Sequence, residues 1–146
     1  MASDGLTCGV TMDGALWCWG DDRYGQLGEG GSGDRSMPQR VGADSDWERV
    51  HAGSQHACAV KSDPSLWCWG NPAGGRLGLG TGPANEPRRV GTDTGWTDVR
   101  AGLESTCGLR DSGGGGVWCF GANLAGEAGD DTPAGTPVAA PSRACL

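Results

Sequence analysis

The chain has 146 residues, a formal charge of −7 and 29 glycines against a single phenylalanine and a single tyrosine. Glycine costs roughly 1 kcal/mol per helical site relative to alanine, which excludes a helical bundle. With no basic cluster in an acidic chain, nucleic acid and anionic lipid are not expected as partners, and no run approaches the roughly 20 apolar residues of a membrane span.

In chain order, Cys8 opens a short hairpin that turns at Asp13-Gly14 and closes on Leu16-Trp17-Cys18-Trp19-Gly20. A glycine-punctuated loop carries Gly25 and Gly28, and Pro38 to Val41 reads as a short strand. Trp47-Glu-Arg-Val50-His-Ala52-Gly53 has strand spacing ending at a tight turn, and His56 to Val60 is a second strand. Lys61 to Ser65 is turn chemistry, with Asp63 and Pro64 suited to a type I turn. Leu66 to Trp69 is a third strand, and Pro87 to Val90 a short fourth. Trp96-xx-Val99-x-Ala101-Gly102 repeats the leading strand, Cys107 to Cys119-Phe120-Gly121 repeats the hairpin, and Pro137 to Ala140 is the weakened third copy of Pro-xx-Val.

The unit recurs at about fifty residues, which points to a propeller or solenoid array. Four short strands per period suit a propeller blade. The expected fold is therefore all-β: about three four-stranded antiparallel blades forming an open, partial propeller. The repeats run 1–42, without a leading strand, 43–91, and 92–146, with a truncated or irregular end.

The cysteines fall at matching hairpin positions, Cys8 with Cys18, Cys58 with Cys68 and Cys107 with Cys119. In register, each pair stands directly opposed on neighbouring strands, at a separation a disulfide accepts. Cross-strand disulfides are the favoured assignment, with buried free thiols and metal ligation as alternatives. Cys145 has no partner in the pattern. His56 and Cys58 share a strand face and offer a nucleophile–base pair, but the equivalents of His56 are Leu6 and Ser105, so the dyad reads as repeat variation. The glycine loops lack the Gly-Lys-Ser/Thr of a phosphate cradle. Asp21, Asp22, Asp130 and Asp131 match no calcium-loop pattern. No catalytic residue, metal site or cofactor is expected.

Strand alternation places Trp17 with Trp19, Trp67 with Trp69, and Trp118 with Phe120 opposite the cysteines. Packing between blades is the plainer role, and cages for cations or platforms for bases the sharper one. Residues differing between copies inside the glycine loops are the candidate contacts for a protein partner: Asp22, Arg23 and Tyr24, then Asn71 and Arg76, then Asn123 and Leu124.

Trp-Cys-Trp-Gly, Gly-Gln-Leu-Gly-x-Gly at Gly25 to Gly30, Pro-xx-Val and Trp-xx-Val-x-Ala-Gly-xx-His-x-Cys-Ala-Val resemble the regulator of chromosome condensation repeat family over nearly the whole chain. The resemblance implies blades of a ring that is typically seven-bladed, and its cysteine-bearing form resembles the bacterial, often exported branch. It also implies a non-enzymatic interaction scaffold, part of a larger exported or surface protein. The alternatives it implies are a guanine-nucleotide exchange factor-like regulator of a small GTPase and an inhibitor of a secreted enzyme such as a β-lactamase. The hairpin cysteines favour an extracellular or cell-surface location, while the absence of a visible signal peptide leaves a cytoplasmic one as the alternative. An unfinished array also implies self-association or docking to remaining blades.

Overall fold

The computed structural model describes residues 5–80, 82, 84–131 and 138–145. Among the described residues, eleven strands form three antiparallel sheets in meander order. The first blade holds β1 (Leu6–Val10), β2 (Leu16–Gly20) and β3 (Arg35–Arg40). The second holds β4 (Trp47–Ala52), β5 (His56–Lys61), β6 (Leu66–Gly70) and β7 (Ala84–Arg89). The third holds β8 (Trp96–Ala101), β9 (Ser105–Arg110), β10 (Gly116–Gly121) and β11 (Val138–Arg143). A 3₁₀ turn at Ala73–Gly75 is the one helical element among the described residues.

Local chemistry sets each hairpin. At the first turn Thr11 N–H donates to Ala15 O and Gly14 N–H to Thr11 O, both at 2.9 Å. At the second, the Asp63 carboxylate accepts the Ser65 amide at 3.1 Å. The strands then pair in the register that opposes Cys8 to Cys18, Cys58 to Cys68 and Cys107 to Cys119. All three pairs are disulfide-bonded, with Cα atoms 4.1–4.2 Å apart.

The outermost strands differ from the sequence expectation. β7 starts at Ala84 rather than Pro87, because it pairs with β6 alone and an edge strand tolerates a proline that donates nothing to the ladder. In the third blade Trp118 pairs with Arg143, as Trp17 pairs with Arg40 and Trp67 with Arg89. Ala144 N–H donates to Val117 O, as Val41 does to Leu16 O and Val90 to Leu66 O. The third copy of Pro-xx-Val is therefore Pro141 to Ala144, not Pro137 to Ala140, and Pro137 itself lies outside the described residues. The preceding loop is longer in this copy, which hid the match.

The blades stack face to face. Trp69, Trp96 and Phe120 are buried, as are Leu6, Leu16, Leu27, Leu66 and Leu77. β5 is buried along its whole length, since both faces of the middle blade are covered. β1 packs on β4, and both β4 and β5 pack on β8. The middle blade turns its aromatic face to the first blade and its disulfide face to the third. Trp69 reaches Gln26 of the first blade, while the Cys58 sulfur lies 3.9 Å from Thr106 Oγ1 of the third.

Candidate functional site

Each joint between blades seats an aromatic ring on the preceding glycine loop. The first loop is held by Gly25 N–H on Asp22 O and Gly28 N–H on Gly25 O, both at 3.1 Å. Gly28 sits at φ +75°, and a Cβ there would lie 2.7 Å from Trp69 Nε1. Gly78 is its counterpart at φ +66°, where a Cβ would lie 2.9 Å from the Phe120 ring. Only a glycine accepts both the left-handed backbone and the ring above it.

The two joints satisfy the same buried carbonyl by different donors. Trp69 Nε1 donates to Gln26 O at 2.9 Å. At the matching carbonyl, Arg76 O, the donor is Thr106 Oγ1 at 2.8 Å. Phe120 has no N–H to offer, and the threonine that replaces Ala57 at this register supplies the missing hydrogen bond. His56 Nε2, 2.8 Å from the same hydroxyl, completes the chain as the donor, since that hydroxyl is already donating to Arg76. Burial first, then Arg76 and His51, depress the His56 pKa to about 3, so the ring is neutral at pH 7. Cys58 is bonded to Cys68, which removes the thiol a His56–Cys58 dyad would need.

Beside each joint an aromatic pair clamps a cation of the chain itself. Lys61 lies 4.6 Å from the Trp47 ring and 4.8 Å from Trp67. Its ammonium meets Asp44 at 2.5 Å and Asp46 at 3.1 Å. Burial opposes the lysine charge, but hydrogen bonds to the two aspartates outweigh it and hold the pKa above its ordinary value. In the third blade Arg110 takes the same place, 5.3 Å from Trp96 and 4.6 Å from Trp118, with Asp93 at 3.1 Å. The register opposes Trp47 to Lys61 and Trp96 to Arg110, which is how the clamp arises. The aromatic faces thus pack between blades and also hold internal cations.

The loop residues expected to contact a partner divide sharply. Asp22, Arg76 and Asn123 are buried. Asp22 accepts the Leu27 amide at 3.0 Å, and Asn123, its counterpart, accepts Ala128 at 3.0 Å. Burial pushes the Asp22 carboxyl pKa up, against the opposing pull of the Leu27 amide. Arg76 donates to Ala73 O at 2.8 Å and Leu103 O at 3.1 Å. Asn71 is half-buried and bonds to Gln55 Oε1 at 2.7 Å and to the Ala73 amide at 2.9 Å. These four shape the loops. Arg23, Tyr24 and Leu124 stand exposed, with Arg23 paired to Asp21 at 2.8 Å. The exposed Met12, Met37 and Leu103, which the sequence pattern had not singled out, add apolar surface. Among the described residues no cluster of three His, Cys, Asp or Glu could hold a metal ion, and Cys145 is free and exposed.

The sequence signature of the Regulator of chromosome condensation (RCC1) repeat matches residues 13–60, and a second signature of the same description matches residues 48–76. Residues 13–76 thus carry the regulator of chromosome condensation repeat signature. Among curated proteins, the E3 ubiquitin-protein ligase HERC2 of Homo sapiens is 41% identical over 56 residues, which cover 37% of this chain and 1% of HERC2. The solved propeller Prp20p of Saccharomyces cerevisiae, described together with its binding to Gsp1p and histones, aligns over 99% of this chain with a TM-score of 0.86 at 18% identity. Human WBSCR16 aligns over 97% with a TM-score of 0.82 at 22% identity. This chain spans only 37% and 36% of those two proteins, and at such identities the likeness shows the fold.

Proposed function

We propose that this chain is a non-enzymatic β-propeller segment that serves as a protein–protein interaction scaffold. The observation that carries this reading is how the residues are divided. Positions that recur between blades are spent on disulfides, glycine seats and aromatic packing, whereas Arg23, Tyr24 and Leu124 differ between copies and stand exposed on loops. Exposed Tyr and Arg are enriched at interaction hot spots. Support also comes from yeast Prp20, described with its binding to Gsp1p and histones and in complex with Kap60. Three disulfides favour an oxidising compartment and a place in an exported or surface protein. A photo-crosslinking residue in place of Tyr24 or Leu124 tests the scaffold. It should capture one protein partner that a probe at Asp111 does not, and equal capture from all three sites would refute it.

The joint geometry supports docking of a further blade, from a second copy or a continuing propeller. Trp19 is half-buried at the place of Trp69 and Phe120, with no glycine loop among the described residues seated against it. At the other end Gly129, the counterpart of Gly28 and Gly78, has no aromatic ring over it among the described residues, and a Cβ there would meet only the Ala144 Cβ at 3.5 Å. The two ends present the unmatched halves of one joint, so association is head-to-tail. Light scattering after size exclusion should show a mass that rises with concentration and falls on Trp19→Ala. A monomer at every concentration would overturn self-association.

A further inference from the structure

We infer that the cleft between the first and second blades binds a cationic side chain, lysine or arginine, of a protein partner; this rests on the scaffold reading and names the partner's chemistry. The cleft measures about 230 Å³, and its walls include Glu29, Asp44, Trp47, Trp67, Glu86 and Pro87. That is below the roughly 300 Å³ at which small-molecule pockets begin, and it suits one side chain. Trp47 and Trp67 meet edge to face, with centroids 6.0 Å apart. Indole faces attract cations, and this pair already does so with Lys61, which does not line the cleft.

The carboxylates come from three separate segments: Glu29 from the glycine loop, Asp44 from the connection between blades, and Glu86 from β7. Two of them have cations of the chain beside them, Arg35 on Glu29 and Lys61 on Asp44. Glu86 is exposed and, among the described residues, makes no ion pair. A negative charge therefore stands uncompensated at the rim. Trp47 Nε1 is buried without an acceptor, and so is Trp96 Nε1 at the neighbouring joint, so the orphan donor is common to both joints.

The neighbouring joint sharpens the assignment. Its aromatic wall repeats as Trp96 and Trp118, and Asp93 repeats Asp44. Glu29, however, is replaced there by Leu79, and the register that matches Pro87 with Pro141 sets Ala140 in the place of Glu86. The aromatic part of the cleft belongs to the fold. The acidic part belongs to this joint.

The test is a titration of the isotope-labelled, disulfide-intact chain followed through its indole N–H resonances. The probes are acetyl-arginine amide, acetyl-trimethyllysine amide and the neutral acetyl-citrulline amide. Both cations should shift the Trp47 and Trp67 signals and leave Trp96 and Trp118 in place, citrulline should shift none, and added salt should weaken the effect. Glu86→Gln, an exposed change that leaves the internal ion pairs intact, should weaken binding by up to about five-fold. Equal shifts with citrulline, unchanged affinity in Glu86→Gln, or no shift with either cation would overturn the site. None of these results touches the crosslinking at Tyr24 and Leu124, so the failure of this site and the failure of the scaffold reading are distinguishable.

Discussion

Replacing Trp69 with phenylalanine should convert the first joint into an incomplete copy of the second. Trp69 is fully buried and donates to the buried Gln26 carbonyl at 2.9 Å. Stripping a buried carbonyl of its donor costs about 1–3 kcal/mol, and the lost part of the ring adds a transfer and cavity cost of about 1–2 kcal/mol. The sum, about 2–5 kcal/mol, is a large share of the about 5–15 kcal/mol that holds an ordinary domain together. Each kcal/mol lowers Tm by about 2–4 °C at this size. The second joint shows what should repair the damage, because there Thr106 donates to Arg76 O beneath Phe120. Ala57→Thr alone crowds a fully buried site and should cost about 1–3 kcal/mol. Combined with Trp69→Phe, the new hydroxyl meets the orphaned carbonyl in the space the indole vacated. Denaturant unfolding of both single variants and the pair, with disulfides intact, should give a favourable coupling of at least about 1 kcal/mol. A coupling within about 0.5 kcal/mol of zero would refute the exchange of donors.

Three further outcomes follow from the joints and hairpins. His56, with a pKa near 3 in the fold and about 6.5 unfolded, leaves stability whole above pH 6.5 and removes about 1.4 kcal/mol per pH unit as pH falls toward 3; His56→Leu, the first blade's own residue, should flatten that part of the slope, and an unchanged slope would show that the ring is not excluding a proton. Gly28→Ala should destabilise by about 2 kcal/mol or more, from left-handed strain and collision with Trp69, whereas Gly9→Ala, with open space at its Cβ, should stay within about 0.5 kcal/mol; equal melting temperatures would contradict the seat. Stepwise reduction with alkylation and peptide mapping should open Cys107–Cys119 first, since Cys107 is half-buried while both sulfurs of Cys58–Cys68 are sealed, and each bridge lost should cost about 2–3 kcal/mol; simultaneous opening of all three would mean that burial does not set their access.

The hairpins, their period and their disulfide partners were legible because a tight turn and a register of opposed residues are settled within a dozen positions of one another. The candidate contacts were read from variation between copies, which does not tell an exposed side chain from a buried one. Asp22, Arg76 and Asn123 vary between copies, as contact residues do, yet each is buried in or beside its own loop. There the varying side chains hold loop hydrogen bonds. The pairing of Trp69 with Ala57 and of Phe120 with Thr106 could have been noticed by aligning the copies, but only their shared carbonyl position gives the swap a meaning. Likewise Lys61 and Arg110 read as surface charges until the strand register sets them against tryptophans.

What the sequence determined by itself is the blade: its strands, its turns and its cross-strand cysteines, all local consequences of spacing and of glycine and proline chemistry. What only the tertiary structure decided is the use of each face. Whether a loop side chain is a contact or a cap, and whether an aromatic pair is a wall or a clamp, depends on the blade that arrives next to it. That neighbour lies about fifty residues away in the chain, beyond the reach of any local pattern.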